Sequence, residues 1–249
     1  MIGLFDSGVG GFSVLRKIRE RAPHADIFYF ADIKHVPYGN KSRDELTALT
    51  IADIEILLSH GIKQIISACN STSQSIAQVV RERYRKDFDY IEMTAPTIDA
   101  FRGFTKSVLI VGTQATIDSE IYQKGLSSLG LSVGALPIPA LAGAIEHGED
   151  ASHIHAILEE AFKGVPVISY GTVLLACTHY PLALEAFRNI VPDTVTLFDP
   201  AVPVATEVIK RFQVDGNGTT KFLLSADSPV FRGYASNMIF RDAPIEILS

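Results

Sequence analysis

Short, nearly continuous apolar runs alternate along the whole chain with amphipathic stretches of helical period. This alternation constrains the fold more than any other feature. Residues 2–5, 27–30, 64–68, 108–111, 173–176 and 195–198 read as strands, and runs with no polar face suit strands covered on both sides. Between them, Phe12, Leu15 and Ile18 share one helical face, and Ser42-Arg43-Asp44-Glu45 is a capping-box pattern opening a helix that stops at Gly61. Residues 73–85 and 117–129 read as helices too, and Ser228-Pro229 caps and opens a last one to about Met238. Strand–helix alternation of this kind predicts an α/β fold with parallel strands. The Gly/Asn-rich residues 214–220 read as a mobile loop, too short to separate domains.

Composition narrows the function classes. The 249 residues are 47% hydrophobic and 20% charged, enough for a sizeable core. A net charge of −6 without a basic run argues against nucleic acid or anionic lipid as the main partner. Asp6 interrupts the first apolar run too early for a signal peptide core, and no apolar run approaches the length of a membrane span. The two cysteines, Cys69 and Cys177, form neither a disulfide framework nor a zinc ligand set, so a cytoplasmic protein with reduced thiols and no metal site is expected.

Those cysteines occupy similar surroundings. Gln64-Ile65-Ile66-Ser67-Ala68-Cys69-Asn70 echoes Thr172-Val173-Leu174-Leu175-Ala176-Cys177-Thr178. Each thiol would end a strand, where open α/β sheets gather their ligand-binding groups. Two similar lobes facing each other would present the thiols across one cleft. A cysteine in an apolar strand is more often a small buried hydrophobe. Here each leads into hydroxyl and amide groups at a helix start, a position that lowers a thiol pKa. His179, two residues past Cys177, is placed either to exchange a proton with that thiol or to act as a structural histidine.

Three further segments carry possible chemistry. Asp6-Ser7-Gly8-Val9-Gly10-Gly11 joins a strand to a helix and is open to two readings, anion binding or a plain turn. It fits neither a dinucleotide fingerprint nor a P-loop. Pro37 and Gly39 punctuate the loop around Tyr38, and Lys34 and His35 read as solvated. Thr113 and Thr116 follow a strand and either cap a helix or bind a carboxylate. Glu146 and His147 alone read as a solvated helix end.

Together, Asp6-Ser7-Gly8-Val9-Gly10-Gly11, Val36-Pro37-Tyr38-Gly39, Ala68-Cys69-Asn70, Gly112-Thr113 with Thr116-Ile117, and Cys177-Thr178-His179-Tyr180-Pro181 resemble the glutamate racemases of the aspartate/glutamate racemase superfamily, in order, from residue 2 to about 240. The resemblance implies two similar parallel-sheet lobes, residues 1–95 plus 206–249 and residues 96–205, with the active site in the cleft between them. It implies a cofactor-independent racemase that makes D-glutamate for peptidoglycan, acting on a small-molecule substrate and compatible with a homodimer.

By the same resemblance Cys69 and Cys177 are the catalytic pair, Asp6 assists the first and His179 the second. Substrate contacts fall to Asp6, Ser7, Tyr38, Gly39, Asn70, Ser71, Thr72, Thr113, Thr116, Thr178 and His179, and Glu146 lies beside the second cysteine. The chain departs from the family at Ser71 and Thr72, where Thr-Ala is usual, at Ile33, where a threonine is usual, and in the small-residue run 139–145. These departures leave two alternatives: a racemase for aspartate or another acidic amino acid, and a non-catalytic binding module. Some family members carry an N-terminal extension that answers to a cell-wall precursor. Ile2 already opens the first strand, so no such requirement is expected here.

Overall fold

The computed structural model describes residues 1–84, 88–237, 240 and 242–248. Among the described residues ten strands form two sheets: β1 Ile2–Asp6, β2 Ile27–Ala31, β3 Gln64–Ser67, β4 Asp89–Glu92, β5 Val108–Gly112, β6 Val133–Pro137, β7 Thr172–Ala176, β8 Thr196–Phe198, β9 Thr220–Leu224 and β10 Ile245–Ile247. The first sheet has the order β10-β9-β2-β1-β3-β4 and the second β6-β5-β7-β8. Every pairing is parallel. The fold is therefore α/β with two parallel sheets, as the alternation of apolar runs predicts.

All six expected strands are present. Four more, β4, β6, β9 and β10, escape the apolar-run criterion. β4, β6 and β10 sit at sheet edges and are only partly buried, so they need no continuous apolar run. β9 is internal but carries exposed Lys221 at its second position.

The helix expected over 117–129 is broken. Gln114–Asp118 and Ile121–Ser128 are separate helices, because Glu120 between them takes a left-handed φ of 55°. The helix from Ser73 is α-helical only to Val79 and continues as a wider π-type turn over Val80–Tyr84; Arg85 lies outside the described residues. Ser42 and Glu45 form both halves of the expected capping box at the head of Arg43–Ser59. Ser228 Oγ accepts from Phe231 N at 3.1 Å, capping Pro229–Asn237; Met238 lies outside the described residues. The expected mobile loop is tied down: Asp26 Oδ1 accepts from Asn217 N, Thr219 N and Thr219 Oγ1 at 2.6–3.2 Å.

One apolar cluster runs through both sheets, from Ile2, Leu4 and Tyr29 to Val111, Val173 and Leu175. Phe12 on the first helix, Phe12–Arg21, packs edge-on against Tyr29 and at a tilt against Phe222 and Phe231, at centroid distances of 4.7–5.6 Å. This packing anchors the glycine loop, since Tyr29 donates from its hydroxyl to Gly8 O at 2.5 Å. Among the described residues no helix is long and apolar enough to cross a membrane.

Candidate active site

The carboxyl ends of the two sheets meet. Asp6 closes β1, Cys69 lies just past β3, Thr113 follows β5, and Cys177 follows β7. β1 pairs with β3 and β5 with β7, which brings each sheet's polar residues side by side.

Asp6 is fully buried. Its Oδ2 accepts from Gly8 N at 3.1 Å and Gly11 N at 3.0 Å, while Oδ1 accepts from the Thr178 hydroxyl, on the opposite sheet, at 3.1 Å. Burial pushes Asp6 above the usual carboxylate range, against the His179 charge and the two amides, which pull it down. The glycine loop is thus a scaffold pressed against protein. A Cβ on Gly10 would stand 2.4 Å from Thr178 Oγ1 and 2.5 Å from His179 Nδ1, so these glycines admit the other lobe's side chains.

Cys69 is 5% exposed, in contact with the apolar residues Tyr38 and Leu46. Burial raises its thiol pKa strongly, and the nearby charges of Asp6 and Cys177 raise it further. The Ser71 and Thr72 amides nearby pull the other way.

Cys177 is equally buried, with its sulfur 3.9 Å from His179 Nδ1. His179 Nε2 meets Glu146 Oε2 at 2.7 Å, and the same oxygen accepts from Val9 N at 2.8 Å. Burial alone would lower the His179 pKa. Hydrogen bonds to Cys177 and Glu146, with their charges, override it and carry the imidazole well above its ordinary value. Glu146 ends the helix Pro139–Glu146 and is 4% exposed. The solvated-end reading therefore fails for Glu146, while His147 beside it is exposed.

Polar contacts also join the lobes around Cys69. Ser71 Oγ lies 3.0 Å from Thr113 Oγ1, which is in turn 3.0 Å from Thr116 Oγ1. Thr113 also caps its helix by accepting from Thr116 N at 3.3 Å. Gly39 approaches so closely that a Cβ there would stand 2.6 Å from Thr113 Cβ. Ser7 is 3% exposed beside Asp6.

Two of the expected contact residues turn their polar atoms elsewhere. The Tyr38 hydroxyl lies 2.6 Å from Asp32 Oδ2 and 3.1 Å from Asp53 Oδ2. Burial, reinforced by the Asp32 charge, holds Asp53 protonated far above the usual carboxylate range. Thr72 Oγ1 bonds back to Cys69 O at 2.8 Å and to Ser67 Oγ at 2.7 Å. Sequence reasoning missed Asp53 in mid-helix, Asp32 as a partner for Tyr38, and Tyr122, whose hydroxyl meets Asn70. Asp53 and Tyr122 sit inside helices, away from any singled-out motif, so no local signal marks them; Asp32 does have one, lying in the loop segment of Tyr38 three residues before His35, whose Nδ1 it meets at 2.8 Å.

The sequence and the fold both have known counterparts. The family model described as Asp/Glu/hydantoin racemase matches residues 7–208. A glutamate racemase of Clostridium perfringens is 32% identical over 242 residues, covering 96% of this chain and 92% of its own. The crystal structure of a glutamate racemase isoform from Bacillus anthracis superposes with a TM-score of 0.89 at 25% identity, covering 100% of this chain and 97% of that one. A glutamate racemase from Francisella tularensis, solved in complex with D-glutamate, superposes with a TM-score of 0.86 at 25% identity, over 100% and 97% of the two chains. The chain belongs to the Asp/Glu/hydantoin racemase family.

Proposed function

We propose that this amino-acid racemase interconverts L- and D-glutamate by a two-cysteine mechanism without a cofactor, in the cytoplasm, supplying D-glutamate for peptidoglycan. One observation carries the reading. Two buried thiols stand at the strand ends of facing sheets, each with its own titratable helper: Asp6 by Cys69, and His179, backed by Glu146, by Cys177. A binding module has no need of this paired acid–base equipment. The glutamate racemases among the relatives, one of them crystallised with D-glutamate, support the choice of substrate.

Racemisation takes a proton from Cα on one face and returns one on the other. One sulfur, as thiolate, accepts the Cα proton and becomes a thiol. The other thiol gives its proton to the opposite face and becomes the thiolate. The two exchange roles with reaction direction. Buried Cys69 strongly prefers its protonated form, so it holds a proton to deliver in one direction and is a strong base in the other. His179, held protonated, keeps a proton 3.9 Å from the Cys177 sulfur. The negative charge that grows on the substrate carbanion needs donors already in place, and the amides and hydroxyls after each cysteine supply them. Side chains exposed by 8% or less line this cleft. The lobes, residues 1–95 plus 206–249 and 96–205 with helix Ala201–Arg211 crossing between them, must therefore part to admit substrate and close to exclude water.

The test is circular dichroism of the purified protein with L-glutamate and no added cofactor, then with L-aspartate. Loss of optical rotation with glutamate is expected. Racemisation of aspartate alone would replace the substrate, and a requirement for pyridoxal phosphate or a metal would replace the mechanism.

A further inference from the structure

Asn70 follows Cys69 directly and is 4% exposed. Its two amide arms have different fates. Oδ1 accepts from the Tyr122 hydroxyl at 2.6 Å, whereas Nδ2 is buried without a partner among the described residues. A buried amide N–H left unpaired costs free energy, so such a group is normally satisfied by something that binds there. Tyr122 belongs to the helix Ile121–Ser128 of the second lobe, and Asn70 to the strand end of the first. The bond therefore crosses the cleft and exists only while the lobes are together.

The direction of the bond decides which arm stays free. The Tyr122 hydroxyl donates to Asn70 Oδ1, and burial, with the Glu92 charge, raises the phenol far above its ordinary pKa, so it keeps the proton it donates. A donating hydroxyl holds the Asn70 carbonyl and leaves the NH2 for the cleft. With the amide reversed, the carbonyl oxygen would face an acidic substrate and repel it.

We propose that Tyr122 is a positioning residue: on lobe closure its hydroxyl locks the Asn70 amide so that Nδ2 donates to a carboxylate of the substrate. This rests on the glutamate reading above. Closure and substrate recognition are then one event, because the donor is oriented only by the opposite lobe.

The test is steady-state kinetics with glutamate on Tyr122→Phe, which keeps the ring and removes the hydroxyl. A freed amide samples both orientations and loses a contact made equally in ground and transition states. KM should rise about tenfold while kcat stays within about twofold. In an Asn70→Ala background the same change should cost nothing further, a non-additivity that a merely structural tyrosine would not produce. Asn70→Asp keeps the acceptor for Tyr122 but removes the donor, and its KM should rise at least as far. A folded Tyr122→Phe enzyme with unchanged KM, equal losses in both backgrounds, or an Asn70→Asp enzyme with unchanged KM would each overturn the proposal. Failure of the unmutated chain to racemise glutamate would instead overturn the reading on which it rests.

Discussion

The Cβ that Gly8 lacks would stand 2.1 Å from Glu146 Oε2, far inside van der Waals contact. Glu146 cannot simply swing away, because that same oxygen binds Val9 N and His179 Nε2. The missing Cβ leaves room for the Glu146 carboxylate to dock on the loop and hold the imidazole that lies beside Cys177. Gly8→Ala should therefore cost about 10- to 100-fold in kcat/KM by displacing Glu146, more than it costs in stability. Wild-type kinetics in a folded Gly8→Ala protein would mean that Glu146 has no part in catalysis.

Cys69→Ser and Cys177→Ser should each abolish net racemisation, since a hydroxyl is a far weaker acid than a thiol. The remaining thiol can still take the Cα proton from one enantiomer. Each variant should then exchange Cα deuterium with one enantiomer only, and opposite ones for the two variants, as followed by proton NMR in heavy water. Full interconversion by either variant would exclude the two-thiol mechanism.

The residues that chemistry marks locally are the ones sequence reasoning reaches. Cys69 and Cys177 show themselves by ending similar apolar runs, and Asp6 by opening a glycine loop at a strand end. The roles of their partners arise from contacts that no local pattern encodes. Glu146 reads as a solvated helix end until the fold buries it against His179, 33 residues away. Tyr122 reaches Asn70 across 52 residues. The same holds for the strands. β1, β2, β3, β5 and β7 announce themselves by continuous apolar runs, whereas β4, β6 and β10 lie at sheet edges where exposure relaxes the pattern. The glycine loop reads from sequence as either an anion site or a plain turn because glycine leaves room, and sequence does not say that Glu146, Thr178 and His179 press into it.

Stability should fall as pH rises. His179 has a folded pKa raised well above its ordinary value by Cys177 and Glu146 despite burial. Its contribution is fully present below about pH 6.5, where the unfolded imidazole is also protonated, and is lost as pH climbs through the folded value. Asp6, raised chiefly by burial, has the same sign at lower pH: its proton favours the fold until pH passes its elevated pKa. The slope is about 1.4 kcal/mol per pH unit for each proton held only by the folded state. Melting temperatures measured from pH 6 to 9 should decline, and His179→Asn should flatten that decline. An equally steep decline in the variant would exclude His179 as its source.

Substrate choice is the sharpest test. Aspartate is one methylene shorter than glutamate, so a pocket that grips both carboxylates of glutamate leaves donors unpaired with aspartate. Two unpaired donors at about 1.4 kcal/mol each amount to about 100-fold in kcat/KM. Thr72 reads from sequence as extra bulk that tightens the pocket and erodes that margin. Its hydroxyl is instead bonded to Cys69 O and Ser67 Oγ, and the side chain is fully buried at the strand end. Thr72→Ala should therefore leave the glutamate preference within about twofold of its starting value and lower stability by about 1 kcal/mol, because the Ser67 hydroxyl loses its partner. Parallel kinetics on L-glutamate and L-aspartate, with a melting curve for each protein, check both halves. Selectivity that widens in Thr72→Ala without a stability loss would show that Thr72 reaches the substrate after all, and comparable kcat/KM for the two acids in the unmutated chain would make it a general acidic amino-acid racemase.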